Sequence, residues 1–163
     1  MELKSKHQKN LLKEAIIDCL SGIAIFADLD ATELDIAGEH MHVSRFEPGD
    51  IVFAEGDPGD EMCFVVDGTL DVLKNQSGKI EKKIAIKAPG GSIGEMAVIG
   101  DFSRTATVKA ATDVTLLTLS RRRFDQICGE YPAIGVKVMR SIARILSLHL
   151  RDTSQELSQI LSH

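Results

Sequence analysis

Glu95 and Arg104 stand nine positions apart in a glycine-rich run from Gly90 to Val108. These two side chains are the ones whose types and spacing most clearly suggest chemistry. Arg104 carries a planar fork of donors suited to a phosphate. Gly90, Gly91 and Gly94 let the backbone turn tightly and come close to a bound molecule. Between the two charges, Glu95-Met96-Ala97-Val98 can form one short helical turn whose free N–H groups attract an anion. A carboxylate would repel that anion. It fits if it accepts a hydrogen bond from a sugar hydroxyl beside the phosphate, so the run suits a nucleotide with a free ribose hydroxyl.

The elements that must position this run are legible from periodicity and turn chemistry. Leu11, Leu12, Ala15, Ile16 and Cys19 recur at helical spacing over Asn10–Cys19, preceded by a frayed polar tail and stopped at Gly22. Asp30 is the expected N-cap of a second helix opening Ala31-Thr32-Glu33-Leu34. After Met41, short β-branched runs alternate with turns at Glu47–Asp50, Glu55–Asp60, Asp67-Gly68, Asn75–Gly78 and Pro89–Gly91. The strands expected are Val43–Phe46, Ile51–Phe53, Met62–Val66, Thr69–Lys74, Ile80–Ala88, Thr105–Ala110 and Val114–Leu119, with Arg104 entering at the start of the sixth. Ser120 should cap a helix Arg121–Cys128 that Gly129 ends, and Pro132 should open a long helix. That helix carries an apolar stripe of Ile134, Val138, Ile142, Ile145, Leu146 and Leu150, and Leu157, Ile160 and Leu161 can extend it. The fold class read from this is α+β: an antiparallel jelly-roll-like β-barrel flanked by N-terminal helices and a long C-terminal helix. The chain divides into a helical segment 1–22, a barrel 23–130 and a terminal helix 131–163.

Several stretches in this order resemble the cyclic nucleotide-binding domain family, from about Ile25 to about Leu150. Members carry a phosphate-binding cassette F-G-E-[LM]-A followed by P-R-[AST]-A-T-V. Here Ile93-Gly94-Glu95-Met96-Ala97 precedes Ser103-Arg104-Thr105-Ala106-Thr107-Val108 with the family's separation of Glu from Arg. Upstream, Phe46-x-Pro48-Gly49-Asp50, then Glu55-Gly56-Asp57-x-Gly59-Asp60, then Phe64-Val65-Val66-x-Gly68 are similar to the family as well. Two cassette positions depart from the pattern: Ile93 stands for Phe and Ser103 for Pro.

The resemblance implies a binding site built from Ile93, Gly94, Glu95, Met96, Ala97, Arg104, Thr105 and Ala106. Glu95 would take the ribose 2′-hydroxyl. Arg104 would take the exocyclic phosphate oxygens, together with backbone N–H groups of Ala97 and Thr105. It implies cAMP as the ligand, with cGMP the alternative because of Thr105. Leu146, His149 and Leu150, with Met139 and Arg151, are lid candidates over the base. Relatives that bind DNA place a helix-turn-helix after the long helix, and about a dozen residues past Arg151 are too few for one. Output is therefore expected through a partner protein, a homodimer formed by the apolar terminal helix, or a further part of a longer protein. The alternatives are a ligand-free scaffold with a retained barrel, in which Arg104 and Glu95 pair with each other, or a cupin-like metalloenzyme.

Composition excludes several other classes. A net charge of −5 argues against general affinity for nucleic acid or anionic membranes, and 4% aromatic residues with no Trp argue against a base-stacking platform. No serine nucleophile elbow, P-loop or Rossmann fingerprint is present, so no enzyme activity is expected. His40-Met41-His42 with Glu47 resembles the first metal motif of cupins, but Gly94 stands where a second motif would need a His, so no metal is expected. Arg121-Arg122-Arg123 reads as a solvated helix face. Cys19, Cys63 and Cys128, odd in number and far apart, read as small buried hydrophobes of a reducing cytoplasm. The N-terminus has no apolar signal core, and no apolar run is long enough to span a bilayer.

Overall fold

The computed structural model describes residues 2–76 and 80–162. The first helix, α1, runs Glu2–Ser21, so the polar tail expected to fray is helical from Glu2 onward. A 3-10 turn at Ala24–Phe26 leads to α2, Ala31–Glu39. Asp30 caps α2 as expected and completes a capping box: Glu33 N–H donates to its carboxylate at 2.9 Å, and Asp30 N–H donates to Glu33 at 3.0 Å.

The strands are β1 (His42–Phe46), β2 (Ile51–Phe53), β3 (Glu61–Asp67), β4 (Leu70–Gln76), β5 (Ile80–Lys87), β6 (Ser92–Ile93), β7 (Thr107–Ala110) and β8 (Val114–Ser120). They form two four-stranded antiparallel sheets, in the orders β1-β8-β3-β6 and β2-β7-β4-β5. This is the jelly-roll-like arrangement expected. Part of the Asn75–Gly78 turn lies outside the described residues. Two strand readings change. The short β6 was not foreseen, and it pairs Ile93 with Cys63 and Ser92 with Phe64. The sixth expected strand starts two residues late, at Thr107, leaving Arg104 before it on irregular backbone.

The near-continuous apolar run of β3 is explained by layers on both of its faces. Met62 and Phe64 join a helix-covered core with Phe26, Phe124, Val138 and Ile142. Cys63 and Val65 join the core between the sheets with Phe53, Ile93, Val108 and Leu116. Phe26 and Phe64 meet edge to face, ring centroids 4.9 Å apart. Cys63 behaves as the small hydrophobe expected, its thiol pushed up to about 12 by burial.

After β8, Ser120 caps α4, with Arg123 N–H donating to its hydroxyl at 3.2 Å. α4 extends through Gly129 to Glu130, so that glycine does not end it. Pro132 does, because the residue before a proline is driven out of the helical region; Tyr131 sits at φ −131°, ψ 69°. Pro132 then opens α5, which runs unbroken to Leu161 over 30 residues. Ile134, Val138 and Ile142 are buried and Leu146 is partly covered, whereas Leu150 is exposed. Lys137 fastens α5 to the α2 capping box through Glu33, at 2.7 and 2.9 Å. Ser141, buried on the same helix, has no hydrogen-bond partner for its hydroxyl among the described residues.

Candidate functional site

β6, α3 (Met96–Ile99) and the irregular segment before β7 bring the two charges of the glycine-rich run to one cleft of about 180 Å³. Gly94, Glu95, Met96, Ala97, Arg104, Thr105 and Ala106 all line it. Ile93 does not. It is buried in the core between the sheets and anchors the run from beneath, an apolar role that Ile fills in place of Phe. On α5, Leu146 and His149 face the cleft. Leu150 and Arg151 are exposed elsewhere, and Met139 borders a separate surface hollow beside Cys128 and Pro132. Of the five lid candidates, two border the cleft and three do not.

Arg104 and Glu95 are 9% and 8% exposed, and they are not clasped together. Among the described residues no carboxylate forms an ion pair with Arg104. Its guanidinium instead lies 3.5 Å from the centroid of the Phe53 ring and donates from Nη1 to the Glu61 carbonyl at 2.9 Å. Burial pushes its pKa down, while Cys63, Glu61, Asp60 and Asp57 pull it up, and it remains a cation. Glu95 opens α3 and accepts a hydrogen bond from the Ser92 hydroxyl. The Glu95–Arg104 pair expected of a ligand-free scaffold is therefore not formed among the described residues.

Two glycines make room for the guanidinium. A Cβ at Gly94 would lie 2.4 Å from Arg104 Nη1, and Gly94 holds a φ of +76°. A Cβ at Gly59 would lie 2.9 Å from Arg104 Nε. The Arg104 backbone is pinned to the β2–β3 turn, its N–H donating to the Asp57 carbonyl and its carbonyl accepting from Gly56 N–H, both at 2.8 Å. A bridge between Pro58 and Ser103 holds the position where the family pattern has proline. One expected donor is already engaged: Ala97 N–H donates to the Gly94 carbonyl at 3.1 Å.

Sequence reasoning missed the residues that hold the run from behind. Arg121 is no solvated side chain. Its Nε donates to the Ala97 carbonyl at 2.7 Å, and Nη2 donates to the Gly100 and Gly59 carbonyls at 2.8 and 2.9 Å. A third nitrogen meets Asp101. Arg122 and Arg123 are exposed, as the solvated-face reading has them. Arg121→Ala is expected to lower folding stability by about 1.5–3 kcal/mol in urea denaturation, because the carbonyls at the end of α3 lose a charged donor. Arg121→Lys should recover only part of this, since an ammonium cannot reproduce the fork; unchanged stability in the alanine variant would remove the assigned role. Lys74 performs a similar service on the other side. It bonds the Thr105 carbonyl and pairs with Glu55 at 2.8 Å, and this hydrogen bond holds the Glu55 carboxyl below its ordinary range.

His40 turns Nδ1 to the Ile36 carbonyl at 2.8 Å, at the end of α2. No group of three or more His, Cys, Asp or Glu side chains among the described residues is placed to hold a metal ion. No described helix is long and apolar enough to cross a membrane.

Comparison with known proteins bears on the family and the fold. Residues 43–131 match the model of the cyclic nucleotide-binding domain. The chain is 26% identical over 138 residues to the cyclic AMP receptor protein of Thermus thermophilus, covering 85% of this chain and 62% of that one. It is 38% identical over 116 residues to a cyclic nucleotide-gated potassium channel of Mesorhizobium japonicum, covering 71% of this chain and 31% of the channel. The chain thus spans less than two thirds of the length of these relatives. A crystal structure of a cyclic nucleotide-binding domain from Methylobacillus flagellatus superposes with a TM-score of 0.79 at 26% identity, covering 91% of this chain and 83% of that one. With the family model covering more than half of its residues, the chain belongs to the cyclic nucleotide-binding domain family.

Proposed function

We propose that this chain is a regulatory module that binds cAMP in the Glu95–Arg104 cleft and couples occupancy to the position of α5. The observation that carries the reading is the buried guanidinium of Arg104, open to the cleft with no carboxylate paired to it among the described residues. An arginine in that state is costly to maintain unless an anion completes it. A cyclic phosphate on Arg104 and the first turn of α3 places the ribose 2′-hydroxyl toward Glu95, whose carboxylate is already held by Ser92. The base then points to Leu146 and His149. A phosphate that recruits the Ala97 N–H must compete with the Gly94 carbonyl, so the first turn of α3 re-forms as ligand enters. The preference for cAMP over cGMP draws support from the Thermus relative, a cyclic AMP receptor protein.

Calorimetric titration of the purified chain with cAMP and cGMP tests the reading. Saturable binding, tighter for cAMP, is expected; heat from neither nucleotide would end it.

Coupling requires that the ligand bind two arrangements of α5 unequally. α5 is suited to this. Its first half packs on the core, Leu146 and His149 touch the cleft, and the helix beyond is exposed, with Leu148, Leu157, Ile160 and Leu161 uncovered. Those side chains call for cover by a second copy of the chain. Light scattering with and without cAMP is expected to give a dimer in at least one state; a monomer in both removes the homodimer.

A further inference from the structure

Phe102 is a residue that neither the cassette pattern nor the lid candidates assign, and it lines the same cleft as Leu146 and His149. It is 46% exposed. The backbone holds it there. Phe102 N–H donates to the Gly100 carbonyl at 3.0 Å, and the ring lies so close over Gly100 that a Cβ there would be 2.6 Å from Cε2. The glycine therefore provides the seat for the ring. One other aromatic residue lines the cleft, Phe53, and its face is taken by the Arg104 guanidinium. Phe102 thus offers the cleft an aromatic face not occupied by a cation.

We propose that Phe102 stacks on the nucleobase, so that the cassette itself supplies a cover for the base opposite the α5 side chains. This rests on the nucleotide reading of the cleft and goes beyond it by assigning the base contact. Stacking uses the π-face that every base has and reads no edge hydrogen bonds. Phe102 should therefore strengthen cAMP and cGMP alike and leave their ratio unchanged.

Three ligands and two variants test the assignment: cAMP, cGMP and base-free ribose 3′,5′-cyclic phosphate, with Phe102→Ala and Phe102→Trp. Phe102→Ala is expected to weaken both nucleotides by roughly 5- to 100-fold and to leave the base-free compound unaffected. The chain has no tryptophan, so Phe102→Trp places a single indole at the rim. Its emission should be quenched by cAMP while nucleotide affinity is kept. Unchanged nucleotide affinity in Phe102→Ala overturns the stacking role, as does an equal loss for the base-free compound, which would mark a merely structural contact with the cassette. Where base-free binding is too weak to measure, the indole decides: emission unaltered at saturating cAMP overturns the proposal. Failure of the unaltered chain to bind any of the three ligands would instead defeat the reading of the cleft, and the stacking role with it.

Discussion

Arg104→Ala is expected to weaken cAMP binding by roughly 30- to several-thousand-fold, the equivalent of about 2–5 kcal/mol. The size follows from desolvation. A cyclic phosphate carries a full negative charge into a cleft where Arg104 is the lining cation, and without it the anion is left with backbone dipoles. The same substitution should cost little folding stability. The guanidinium is buried with no ion-pair partner among the described residues, resting on a ring face and one carbonyl, so its removal breaks no ion pair and lifts the cost of burying a charge. Urea unfolding beside calorimetry separates the two. A large loss of affinity with an unfolding midpoint close to that of the unaltered chain is the expected pair. Equal affinity for cAMP before and after the substitution would defeat the role given to Arg104. Arg104→Lys should fall between, since it keeps a charge but loses the fork and much of the stack on Phe53.

Gly94→Ala is the second large effect, and it acts through Arg104 rather than through the ligand. The added methyl group would lie 2.4 Å from Nη1 and 2.9 Å from the Glu61 carbonyl oxygen, at a φ of +76° that costs a non-glycine residue about 1–2 kcal/mol. Either the guanidinium leaves its seat between Phe53 and Glu61, or the loop between β6 and α3 opens. Both outcomes misplace the donor fork, so affinity for cAMP should fall by at least about tenfold. Unlike Arg104→Ala, this variant should also unfold earlier in urea, by about 1–3 kcal/mol. The double variant Gly94→Ala/Arg104→Ala distinguishes the route. If the clash is with the arginine, removing its side chain relieves part of the instability, and the two changes are not additive. Full additivity would show that the backbone at Gly94, and not its crowding of Arg104, sets the cost.

What could be read ahead of the structure was local in the chain. The capping box at Asp30 and Glu33, the Ser120 cap, most strand bounds and the cassette residues each follow from neighbours a few positions apart. What escaped reading is held by long-range bonds. Arg121 looked like one of three solvated arginines because its acceptors are backbone carbonyls at Gly59, Ala97 and Gly100, and carbonyls leave no mark on residue type. The grip of Lys74 on Thr105 is hidden for the same reason. Gly129 misled because two stop signals lie three residues apart, and the proline's steric effect on Tyr131 outweighs the glycine's permissiveness. Leu150 shares the helical period of Leu146, but the body against which α5 packs ends before it does, so periodicity alone overstated the buried stripe. Phe102 offered no pattern at all; only the hollow around it gives it meaning.

If α5 answers to the ligand as proposed, its uninterrupted course past the cleft would act as a lever. Its last contact with the cleft is at His149, and the helix continues to Leu161, roughly 18 Å further along its axis. A tilt of about 10° pivoting near His149 would sweep the far tip sideways by roughly 3 Å, about the width of a hydrogen bond. A rearrangement too small to notice around the sugar would thus be magnified at Leu157, Ile160 and Leu161, where apolar side chains stand ready to register it.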